Sequence, residues 1–101
     1  MIRERTPDTD PDAIGIEALK FIASHQDLID RFVEVTGVDV SQLRQAAAQP
    51  GFFVGVLDFI LANEADVLDL ASQLAMRPEG IGKARNLLAK RDGIQPEDYL
   101  S

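Results

Sequence analysis

The sequence contains no cysteine, which excludes disulfides, thiolate metal sites and cysteine nucleophiles together. That absence fits a reducing compartment. It has one histidine, His25, and no His-x-x-x-His pair or Asp-rich calcium loop, so no familiar metal-ligand spacing is present. The longest apolar run falls short of the roughly 20 residues needed to span a bilayer. The opening MIRERTPDTDPD is charged and broken by proline, so no secretory signal is expected there. A soluble, cytoplasmic protein is the expectation. Basic residues are also scarce: ten Lys and Arg stand against 17 Asp and Glu, a net charge of −7. Nucleic-acid affinity rests largely on cations that neutralise phosphates, so this balance disfavours such a role.

What the chain has in quantity is aliphatic and phenylalanine side chain. Leu, Ile, Val and Phe supply 31 of its 101 residues, enough for the core of one domain. The densest segment is Phe52 to Ala62, FFVGVLDFILA, in which Asp58 is the one acid. A helix apolar on all sides must be surrounded by protein, so this segment is expected at the centre of the fold.

The other segments read as helices with definite stops. Residues 1–9 are expected to be a flexible leader. Asp10-Pro11-Asp12 then gives an N-cap, a first-turn proline and an acid at the positive helix end. Ile14, Ala18, Leu19, Phe21 and Ile22 supply its apolar face. A break or kink is expected near Ser24-His25-Gln26, with Asp27 as the next N-cap. Gly37 should end that second helix in a Schellman-type turn with Val38 against Val33. Asp39 and Gln42 have capping-box spacing, and Val38 and Leu43 the spacing of a hydrophobic staple.

Gln49-Pro50-Gly51 should start the central helix and Asn63 cap the one after it. Met76-Arg77-Pro78-Glu79 reads as a turn and restart. A last helix ends in Lys90, Arg91 and Gly93, before a loosely held tail over 95–101 in which Tyr99 and Leu100 could dock. A weak repeat at an offset of 38 residues aligns Ile29, Phe32, Val33, Val38, Leu43 and Ala46 with Val67, Leu70, Ala71, Met76, Ile81 and Ala84. The expected architecture is all-α: a compact bundle of five or six short helices in one domain over 10–94, with two helical hairpins around the central helix.

No catalytic constellation emerges, and neither a catalytic residue, a cofactor nor a metal is expected. Asp58 must face water, cap a helix or pair with a cation, because an unpaired buried charge costs several kcal/mol; otherwise it is a carboxylate held in an apolar cleft. His25 is placed to bind carbonyls at a helix end. Ser24, Ser41, Ser72 and Ser101 sit in no nucleophile motif. Gly80-Ile81-Gly82-Lys83 lacks Walker spacing and a preceding strand. Two binding readings follow. The first is a non-enzymatic interaction module whose partner is another protein or a second copy of itself, for which Ala46-Ala47-Ala48 offers a face of close approach. The second is nucleic-acid binding by Lys83, Arg85, Lys90 and Arg91.

The segments EALKFIA, LIDRFVEVTGVDVSQLRQAAA and FFVGVLDFILANEADVLDLA, in that order, resemble a bacterial domain-of-unknown-function family of small helical proteins. The matching positions are Thr36, Gly37, Val38 and Asp39, then Leu43 and Arg44, then Leu57, Asp58 and Phe59. The resemblance spans about residues 13 to 89 and implies an all-helical fold in a bacterial cytoplasmic protein, with no activity attached. It departs from the family pattern at Arg77, a position better suited to Asp.

Overall fold

The computed structural model describes residues 10–93. The expected leader and tail, with Tyr99, Leu100 and Ser101, lie outside the described residues. Six α-helices and no strand make up the described chain: α1 (Pro11–Ala23), α2 (Gln26–Thr36), α3 (Leu43–Ala47), α4 (Phe52–Leu61), α5 (Glu64–Gln73) and α6 (Pro78–Arg91). A 3₁₀ turn, Val40–Gln42, leads into α3.

The helix starts follow side-chain chemistry. Asp10 Oδ1 accepts from the amides of Asp12 and Ala13, with Pro11 in the first turn of α1. Asn63 Oδ1 accepts from Ala65 at the start of α5. At α2 the cap position is His25 rather than Asp27, which sits inside the first turn where its charge meets the positive helix end. Pro50 lies in the turn before α4, and the helix starts at Phe52, after Gly51. Gly51 N–H donates to Asp92 Oδ2 at 3.0 Å, so the end of α6 caps the beginning of α4.

The turn after α2 is tied differently from the Schellman pattern. Gly37, at φ 76°, donates to the Val33 carbonyl, the single bond of the αL motif. The Val38 amide is taken by Thr36 Oγ1, which itself donates to Phe32 O. Gln42 Oε1 accepts from Asp39 N–H, the back-reaching half of the capping box, while the Asp39 carboxylate accepts from Ser41. Val33, Val38 and Leu43 line one small apolar cavity with Leu19, Ile22 and Phe32, so the expected hydrophobic contact is made. The full Schellman geometry appears instead after α5, where Met76 N–H donates to Ala71 O and Ala75 N–H to Ser72 O. There the left-handed residue is Ala75, at φ 56°.

The core is shared by α1, α4 and α6, each packed on the other two. Ile14, Val56, Leu57, Ile60, Leu70, Ile81 and Leu88 are its largest fully buried side chains. At Gly15 a Cβ would stand 3.0 Å from the Phe53 ring, so α1 crosses α4 at its one residue without a side chain. The repeat-related positions agree in part: Phe32 and Leu70 are both buried and Val38 and Met76 both half-buried, but Val33, Leu43 and Ala46 are half-buried where Ala71, Ile81 and Ala84 are buried. The two pairs are nevertheless unequal, because α6 runs through the centre while five-residue α3 lies at the edge. No described helix is long and apolar enough to cross a membrane.

Two local misfits generate a prediction. Ala75 bears a left-handed conformation that a Cβ disfavours, and Arg77 occupies the α6 N-cap without a side-chain cap bond. Ala75→Gly and Arg77→Asp should each raise stability by about 1 kcal/mol. In thermal melts this corresponds to roughly 4–8 °C for a domain of this size. A lowered melting temperature for either variant would contradict the assigned turn.

Candidate functional site

The central helix is not covered on every side. Val54, Val56, Leu57, Phe59 and Ile60 are buried, but Gly55, Asp58 and Ala62 are exposed. These three positions share one stripe at 3.6-residue periodicity. The stripe forms part of a groove of about 360 Å³ whose other lining residues are Arg31, Val35 and Thr36 of α2, Phe59, and Asn63. Val35 is 69 % exposed, an aliphatic side chain standing at the groove wall. The expectation that α4 is enclosed therefore holds for the face toward α1 and α6 and fails along this stripe.

Phe32 sets the separation of the walls. Its ring meets Phe59 edge-on at 5.3 Å and Phe52 edge-on at 6.5 Å, so bulky rings stand between α2 and α4. Above them, Arg31 lies over the Phe59 ring at 5.1 Å and donates from Nη2 to Asp66 Oδ2 at 2.6 Å. Asp66 is the buried charged residue among those described. Its place in the first turn of α5 adds the favourable helix end to the ion pair. Sequence reasoning did not single out either Arg31 or Asp66. The available signal was a cation one residue before the buried Phe32 and an acid three residues after an N-cap.

Asp58 faces water and pairs with a cation, two of the roles open to it. Arg85 of α6 grips it as a fork, Nε to Oδ1 at 2.7 Å and Nη2 to Oδ2 at 3.3 Å. The Arg85 side chain is 17 % exposed and that of Asp58 50 % exposed, so the guanidinium is largely covered and the carboxylate lies outermost. Both carboxylate oxygens accept from Arg85, an arrangement that locks α4 to α6.

The four cations of the last helix are not gathered on one face. Arg85 turns to Asp58, and Arg91 reaches Asp12 of α1 through Nη1 at 2.7 and 2.8 Å. The hydrogen bonds and charge of Asp12 push the Arg91 pKa further above its ordinary value, so its charge is constant at any physiological pH. Lys83 and Lys90 are exposed and seven residues apart, hence on one stripe about 10 Å long. The Gly80-Ile81-Gly82-Lys83 segment opens α6, where Arg77, Glu79, Gly80 and Lys83 line a shallow recess. His25 acts at a helix end: Nδ1 lies 2.8 Å from Phe21 O, and its ring packs at a tilt against Phe21, centroids 4.8 Å apart. Ala46 and Ala47 are half-buried, and Ala48 is exposed. Among the described residues no three acidic or histidine side chains converge as metal ligands.

The two ion pairs beside the groove should differ in energetic weight. Arg31→Ala strips the partner from buried Asp66 and should cost about 1–3 kcal/mol. Asp58→Asn disturbs a half-exposed pair and should cost less than about 1 kcal/mol. Urea titrations of the two variants check this ordering, and an Asp58→Asn loss exceeding that of Arg31→Ala would reverse it.

No curated protein and no solved structure matches the chain. One family model does, over residues 8–91, which takes in the groove, both ion pairs and all six helices. The chain therefore belongs to the family described as Protein of unknown function (DUF3572).

Proposed function

We propose that this chain is a non-enzymatic protein-interaction module and that the groove between α2 and α4 is its binding surface. The carrying observation is the uncovered stripe of α4. A helix with mean composition this apolar normally spends every face on its own core. Here Gly55 and Ala62 lie open, with Phe59 in the groove floor and an exposed Val35 beside them. Such a surface suits helix-in-groove recognition, in which an amphipathic helix inserts side chains at i, i+3, i+4 and i+7. The polar groups bordering the groove are engaged internally, Arg31 with Asp66 and Asp58 with Arg85, which supports a binding role rather than a reactive one.

Gly55 makes the test clean. A Cβ built there meets nothing within 4 Å, and replacing a mid-helix glycine improves helix propensity. Gly55→Leu should therefore fold at least as stably as the parent while filling the groove. In affinity capture from the native lysate, a specific protein should be retained by the parent and lost with Gly55→Leu. Equal retention by both would remove the groove from the account. Salt-dependent binding of duplex DNA, abolished by Lys83→Glu with Lys90→Glu, would instead favour the nucleic-acid alternative.

A further inference from the structure

The distribution of charge points to the chemistry of the partner, on the reading that the groove is a docking surface. Helices α2 and α4 build the walls of the groove, and it ends at Asn63, the N-cap of α5, which Asp66 ties to Arg31 on the α2 wall. The two wall helices and the adjoining α5 carry seven carboxylates against one cation, Arg31. Six of the chain's seven net negative charges thus sit on these three helices. Arg31 is itself occupied, by Asp66 on one side and the Phe59 ring on the other. Glu34 and Glu64, the sequence neighbours of the lining residues Val35 and Asn63, are exposed.

We infer that the occupant is a basic amphipathic helix of another protein, its apolar side seated over Gly55, Phe59 and Ala62 and its Lys or Arg side chains reaching Glu34, Glu64 and the outer edge of Asp58. A symmetric second copy of this chain is disfavoured as occupant, because it would bring the same acidic helices face to face. Like charges across an interface oppose association, whereas opposite ones steer encounter and fix register. The exposed stripe from Gly55 to Ala62 is about 10 Å long, so about two turns of the partner make the contact.

Three synthetic helical peptides of one length and one Leu/Ala apolar face test this, with polar faces of Lys, Gln or Glu. Titrated into the full chain at low salt and followed by backbone amide NMR, the Lys peptide should bind at least about tenfold tighter than the Glu peptide, a difference of about 1.4 kcal/mol. Its shifts should centre on Gly55, Asp58, Ala62 and Val35, weaken with added salt, and vanish in Gly55→Leu. Groove shifts that are equal for all three peptides, or strongest with Glu, would overturn the basic partner while keeping the groove. Shifts confined to another surface, or none up to about 1 mM, would overturn both. Concentration-dependent dimerisation through the same amides would replace the foreign helix with a second copy.

Discussion

The fold depends on burying one short helix. Within ten residues α4 contributes five buried apolar side chains, of which Val56, Leu57 and Ile60 have no exposure at all. Removing each from water is worth roughly 1.5–3 kcal/mol, against an ordering cost of roughly 1–2 kcal/mol per residue. That burial requires α1 and α6 to lie against α4 from two directions, and it fixes which residues can remain in water. Gly55, Asp58 and Ala62 share the stripe left in water, and the acid found there meets Arg85 of α6 at the stripe's edge.

Charge–charge contacts then set how the surrounding helices are held. Arg85 joins α6 to α4, Arg31 joins α2 to α5, and Arg91 joins α6 to α1. Asp92 adds the amide of Gly51, closing α6 onto the start of α4. The exposed Arg91 pair adds little, since two flexible side chains in water gain little by meeting. The Arg31–Asp66 pair matters more because Asp66 has lost most of its water, and it ties α2 to α5 at the groove's end. Phe32 props the gap between α2 and α4 from below. The groove is thus bounded by two contacts, an aromatic one between its walls and an ionic one at its end.

Local chemistry was legible in the sequence and distant partnership was not. Asp10, Gly37, Asn63 and Pro78 mark helix ends by conformational preference or by capping bonds within a few residues, and each is found where those rules put it. The Phe52–Leu61 helix followed from composition alone. The family was legible too, from the Thr-Gly-Val-Asp turn and the Leu-Asp-Phe segment. The Asp58 environment was narrowed to three options by the cost of an unpaired charge, but Arg85 is 27 residues away and only the packing of α6 on α4 selects it. Asp66 was invisible for the opposite reason: an acid in a first turn has a sufficient local explanation, which conceals its long-range partner. The groove could not be foreseen, because a uniformly apolar segment does not say which of its faces a neighbour will leave bare.

The central claim is that the open stripe of α4 is occupied by another protein in the cell. It is tested most directly by placing a photo-crosslinking residue at Ala62, in the groove, and in a second variant at Ile16, an exposed apolar residue of α1 that does not line it. Illumination in living cells should give one discrete heteromeric adduct from position 62 and none from position 16. The same adduct from both positions, or none from position 62, would contradict the account.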